Sequence, residues 1–128
     1  MVTVKNIAQA LEAWAPLALQ ASYDNSGLLV GEPEQEATGV LVALDVTEEV
    51  ILEAIEKGCN VVLTHHPIIF KGLKRLIGHT EVERCVMLAL HHNVALYAAH
   101  TNLDSIDGGV SHALAERLGL TGLRILEP

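Results

Sequence analysis

Three short aliphatic runs, each parted from the next by a capped amphipathic segment, constrain the fold of this chain more than any other feature. Gly39 to Leu44, Val61 to Leu63 and Val94 to Ala98 read as strands. Between the first two, Thr47 is placed to cap a helix with Glu48 and Glu49 in its first turn, where the helix dipole favours negative charge. Val50, Ile51, Ala54 and Ile55 give that helix its apolar stripe, and Gly58 ends it. Between the second and third runs, Thr80 caps a helix over Glu81 to His92. Strands joined through helices take right-handed crossovers, which sets the three parallel in one sheet.

The flanks extend the pattern. Upstream, Thr3 caps a helix with Ile7, Leu11 and Trp14 on one face, stopped by Pro16. A turn-rich stretch, Tyr23 to Gly27, leads to a short strand, Leu28 to Val30, closed by Gly31 and a polar loop through Glu36. Downstream, a last helix opens near Asp107, with Val110, Ala113, Leu114 and Leu118 expected inward and Gly119 as its stop. The order is α–β–β–α–β–α–β–α. The expectation is one α/β domain over residues 1–128, a mostly parallel sheet flanked by helices, with Gly39 to Leu44 a buried strand.

Composition narrows the function. Half of the 128 residues are hydrophobic but 3% are aromatic, so the core must be aliphatic. Mean hydropathy is +0.34, yet no run approaches the roughly 18 apolar residues needed to cross a bilayer. The excess apolar surface is therefore expected to meet protein, either a missing half or a second copy. Sixteen acidic against eight basic residues give a net charge of −8, which argues against nucleic acid and against an anionic membrane surface as partners. An anionic small substrate stays open, because a bound cation inverts the local field. Lys71, Lys74 and Arg75 form the one basic cluster, in a loop from Ile68 to Gly78. Cys59 and Cys85 lie outside any C-x-x-C pattern and read as buried free thiols. The first residues carry no cationic-then-apolar leader, and the cytoplasm is the expected compartment.

The chemistry gathers where the strand-like runs end. Their carboxyl ends carry Asp45, then His65-His66-Pro67, then His100-Thr101-Asn102-Leu103-Asp104. Ligands of open α/β sheets collect outside that edge, and imidazole with carboxylate suits zinc, iron, manganese or cobalt. Adjacent histidines in a strand face opposite ways, and Pro67 favours extended geometry before it. That arrangement points to two metal ions side by side, one per histidine, with Asp104 bridging them. The plainer alternative, a histidine pair lining a polar loop, loses ground once His100 and Asp104 fall on the same edge. His100 either ligates directly or stands behind Asp104 and orients it, and the second is favoured. Asp45 either bonds a ligand imidazole or caps the helix after it. Asp24 to Gly27 either reaches the site or forms a simple Asx turn.

The remaining histidines read as structural. His91 and His92 sit at a helix end, where imidazole is favoured anyway. His112 and Glu116 share one turn of a solvated helix face. His79-Thr80-Glu81 lacks the P-C-x-x-C that completes a zinc deaminase. No P-loop, G-x-G-x-x-G, H-E-x-x-H or G-x-S-x-G occurs.

Taken in order from Val4 to Leu120, Asp24-Asn25-Ser26-Gly27-Leu28, Leu44-Asp45-Val46-Thr47, Thr64-His65-His66-Pro67 and His100-Thr101-Asn102-Leu103-Asp104 resemble the Nif-three-like family. Its bacterial members are commonly named GTP cyclohydrolase 1 type 2 homologues. Phe70-Lys71-Gly72-Leu73-Lys74 is similar to the family's post-histidine segment, with Gly72 where a proline is usual. The resemblance implies a dinuclear divalent-metal site in an α/β protein that assembles as a toroidal homohexamer. His65, His66 and Asp104 match ligand positions, and His100 matches a motif position.

The family completes its site with a histidine and a glutamate near the end of a longer chain. The resemblance therefore implies that this chain is an amino-terminal half, which holds metal weakly or fills one position. The implied activity is a metal-dependent hydrolase acting on a nucleotide or similar small molecule. Two cations would acidify a bridging water and polarise the bond attacked. GTP ring opening follows from the family's naming and not from these residues. A rival of another class is a non-catalytic metal-binding scaffold or regulator working through protein contacts, which suits the apolar composition.

Overall fold

Local capping chemistry starts the chain. Thr3 Oγ1 accepts from the Asn6 amide while Asn6 Oδ1 accepts from the Thr3 amide, and α1 runs Val4–Trp14. The computed structural model describes residues 1–126. After a 3₁₀ turn at Leu17–Leu19 come β1 (Gly27–Val30), β2 (Val40–Ala43), α2 (Glu48–Glu56), β3 (Val61–Thr64) and α3 (Glu81–His91). β4 (Ala95–Ala98), the single turn α4 (Thr101–Asp104) and α5 (Val110–Arg117) complete the order. Thr47 and Thr80 cap α2 and α3 by accepting from the Val50 and Glu83 amides.

The sheet order is β1-β4-β3-β2, with β2, β3 and β4 parallel and β1 antiparallel beside β4. The fold is α/β with a mostly parallel sheet flanked by helices. Register aligns Ala43 with Thr64 and Thr64 with Ala98, so the three parallel strands finish level. β1 runs the other way, and its first residue, Gly27, pairs with Ala98. The segment before β1 therefore arrives at the same edge that the other strands leave.

Alternation divides the sheet into two faces. Val62 and Leu96 point towards α2 and α3 and pack with Ile51, Ala54, Cys85, Val86 and Ala89. Val61, Ala95 and Tyr97 point to the other face, where Val4 and Ala8 of α1 cover them. Gly31, just past β1, takes φ +113° with its Cα hydrogen against β4: a Cβ there would lie 2.8 Å from Ala95 Cβ. Cys59 and Cys85 are both free; Cys85 is buried and Cys59 half-buried. Burial pushes the Cys85 thiol up to about 11.

Three expectations about burial are corrected. β2 is an edge strand, and the face bearing Val40, Val42 and Leu44 is bare, with Val42 72% exposed. α1 does not reach across to cover it. On α1, Ile7 and Leu11 pack against the core beside the buried Val4 and Ala8 as expected, while Trp14, expected on the same face, is 55% exposed. On α5, Val110, Ala113, Leu114 and Leu118 all face outward and Ala115 is the residue buried. Periodicity identifies which face of an element is apolar; it does not say what lies against that face.

Candidate metal centre

β3 stops at Thr64, and this end is firmly built. The buried Thr64 hydroxyl donates to the His66 carbonyl at 2.9 Å, and the Ala99 amide donates to the Thr64 carbonyl at 2.9 Å. His65 and His66 lie in the bend that follows. They are thus outside the strand, and the alternation expected to send them to opposite faces does not apply. Their ring centroids are 5.1 Å apart, and the His100 ring lies 5.1 Å from His65 and 5.6 Å from His66. One ligand atom from each of the three imidazoles falls within 4.8 Å of the others.

Each ring is oriented from behind by an oxygen that can only accept. His65 Nδ1 donates to the Ala99 carbonyl at 2.7 Å, His66 Nδ1 to Asp45 Oδ1 at 2.7 Å, and His100 Nδ1 to Asp24 Oδ1 at 2.8 Å. A carbonyl or carboxylate partner fixes the proton on Nδ1. Each Nε2 then keeps its lone pair. Three imidazole lone pairs converging at this spacing fit a divalent cation of the zinc class, whose nitrogen ligands sit about 2.0–2.1 Å from the ion.

The flanking acids differ in reach. Asp104, at the end of α4, places Oδ1 3.6 Å from His65 Nε2 and lies outside the group of three. Asp45 serves as the acceptor for His66, while Thr47 alone caps α2. Asp24, which the sequence reads either as reaching the site or as part of a simple Asx turn, reaches it. Its side chain is fully covered and accepts from Thr101 Oγ1, the Thr101 amide, the Asn25 amide and Ser26 Oγ besides His100. Burial alone would raise this carboxyl, but the bonds from Thr101, His100 and Asn25 outweigh it and hold Asp24 far below the usual carboxylate range. The direction of β1 was the missing signal, since it decides at which edge Asp24 emerges.

The centre is open on one side. The His66 side chain is half-exposed, while those of His65 and His100 are largely covered. Beside His65 lies an apolar cavity of about 380 Å³, walled by Leu11, Trp14, Val42, Leu44 and Leu63. The fold leaves the other histidines away from the centre. His91 and His92 meet edge to face at the end of α3, and His112 pairs with Asp107 at 2.9 Å while Glu116 is exposed.

The family model of Duf34/NIF3 (NGG1p interacting factor 3) matches residues 2–128. The chain belongs to the Duf34/NIF3 family. Among curated relatives, a GTP cyclohydrolase 1 type 2 homolog of Halalkalibacterium halodurans is 43% identical over 124 residues, covering 97% of this chain and 33% of that protein. One of Clostridium acetobutylicum is 40% identical, covering 96% of this chain and 46% of the relative. Among solved structures, a Bacillus cereus protein related to NIF3 superposes with a TM-score of 0.93 at 39% identity, over 100% of this chain and 36% of the other. Reduced HcgD from Methanocaldococcus jannaschii gives 0.88 at 31% identity, over 98% and 50%. The chain thus spans between a third and a half of the length of these Duf34/NIF3 proteins.

Proposed function

We propose that this chain carries the metal-binding half of a metal-dependent hydrolase acting on a nucleotide or related small molecule. His65, His66 and His100 hold the first divalent ion through Nε2, and Asp104 extends the centre to a second. The observation that supports this is the set of three Nδ1 bonds, to Ala99 O, Asp45 and Asp24, which leaves three lone pairs on one group. The name GTP cyclohydrolase 1 type 2 homolog, carried by relatives at 40–43% identity, supports the hydrolase class.

When bound, a divalent cation supplies Lewis acidity and makes water acidic enough to ionise near neutrality. The chain's own residues do the rest. His65, His66 and His100 fix the geometry, and Asp104, facing His65, is placed to take a proton from water entering the centre. The exposed flank at His66 admits the ligand, and the apolar cavity beside His65 accepts its flat or aliphatic part. The whole protein is proposed to work in the cytoplasm as a homohexamer, in which the remaining length of chain supplies further ligands.

Elemental analysis and a cobalt titration of the purified chain test the metal. We expect one well-held ion per chain, a second held weakly, and loss of the first in His65→Ala. Turnover of GTP and a nucleotide panel with added metal tests the activity in the full-length protein. Saturable turnover absent from His65→Ala supports the hydrolase. Stoichiometric metal without turnover of any member would replace it with a metal-binding scaffold, and absence of metal would overturn both.

A further inference from the structure

We propose that Asp24 is a positioning residue of the metal centre, holding His100 as its third imidazole and tying α4 to the segment that precedes β1. Its consequence for metal rests on the reading above; its geometry does not. Asp24 is a carboxylate with no exposed side-chain surface, held by five neutral donors and paired with no Lys or Arg among the described residues. Burying such a group is costly unless each oxygen is satisfied. Four of the donors come from Asn25, Ser26 and Thr101, and they already satisfy it. The fifth bond, from His100 Nδ1, is the one a loop-closing role does not require.

What that bond does follows from the acceptor. A carboxylate takes a proton and gives none, so Nδ1 of His100 carries the hydrogen and Nε2 is left free to ligate. The other two rings are held differently. His65 leans on a neutral carbonyl and His66 on Asp45, whose side chain is 54% exposed and screened by water. His100 alone of the three has a dry, charged anchor, which holds its ring most firmly in the ligating orientation. Asp24 grips both ends of the connection, because its Oδ2 accepts from the Thr101 amide and hydroxyl while Thr101 Oγ1 accepts from the Ala21 amide at 2.8 Å. His100 precedes α4 and Asp104 ends it. Fixing the head of this single turn therefore fixes the stance of both.

Long-range nitrogen–proton NMR on the metal-free chain reads the tautomer of each histidine, and a cobalt titration with its visible spectrum reads the centre. In the wild type, the His100 proton is expected on Nδ1. In Asp24→Asn the ring should sample both tautomers, cobalt affinity should fall about 10- to 100-fold, and the visible bands should shift. Ser26→Ala, which removes one donor to Asp24 but leaves the bonds from His100 and Thr101, should keep the tautomer and most of the affinity. A wild-type His100 proton on Nε2 overturns the proposal without any variant. So does an Asp24→Asn chain with unchanged tautomer, or a Ser26→Ala chain that loses metal equally, since packing of the segment before β1 would then be the cause. A tautomer shift in a chain that binds no cobalt would uphold the hold of Asp24 on His100 and sink the metal reading instead.

Discussion

His66→Ala should separate chemistry from folding more cleanly than any other single change. The ring is half-exposed and its partner Asp45 sits in water, so the unfolding free energy should move by less than about 1 kcal/mol. Metal at the first position should be lost, as elemental analysis would reveal. Unfolding of the variant together with retained metal in the folded fraction would make the histidine structural. Asp104→Ala is expected to leave the first ion in place and remove the weaker second one, because Asp104 lies near His65 but outside the group of three. Equal metal content in the wild type and Asp104→Ala would remove Asp104 from the centre. The cysteines offer an independent check on burial. With its thiol pushed up to about 11, Cys85 should resist a disulfide reagent at pH 8 in the native chain. The half-buried Cys59 should react, and a second thiol should appear on unfolding.

Single elements respond to backbone geometry and to pH. Gly31→Ala forces a side chain into positive φ and against Ala95, so it should cost at least about 2 kcal/mol in urea unfolding. A neutral result would mean that β1 is not seated on β4 as described. Glu83 of α3 braces the end of the loop after the histidines: its Oε2 accepts from the His79 amide at 3.0 Å and the Ile77 amide at 3.2 Å. The bond from His79 leads in holding its carboxyl below the ordinary 4.5, against the opposing effect of burial. A folded-state value below the unfolded one gives stability that is present above pH 4.5 and lost as pH falls through the folded value. Amide exchange at Ile77 and His79 should therefore quicken on acidification in the wild type, and Glu83→Gln should flatten that dependence. Caps such as Thr3, Thr47 and Thr80 were legible in the sequence because capping is settled within three or four residues. The parallel order was legible because crossovers have one hand. The direction of β1 was not, since Gly27–Val30 between two turns reads the same either way, and with it went the role of Asp24. The spread of His65 and His66 is not legible for a similar reason: whether a strand ends at Thr64 or one residue later is beyond what local pattern resolves.

At the scale of the molecule, the bare flank of β2, Trp14 and the outward face of α5 expose apolar surface around the mouth of the centre. Sequence periodicity marks these residues as apolar, but any cover would come from contacts that no local pattern encodes. Trp14 is the single tryptophan and 55% exposed, so it reports on that cover directly. Its emission should move to the blue as chain concentration rises and copies associate, in step with sedimentation velocity. A red, concentration-independent emission would mean that copies do not meet there. The three bonds behind the imidazoles join residues 21, 34 and 76 positions apart. No two of the rings can be aimed until stretches far apart in the chain have docked, so the centre exists only where the tertiary fold does. A cation held by all three rings would then act as a clasp on the finished fold. At a hundredfold excess over its dissociation constant it would add roughly 2.7 kcal/mol to native stability, and a chelator would take that away. Occupancy becomes a gauge of how much of the population has finished folding.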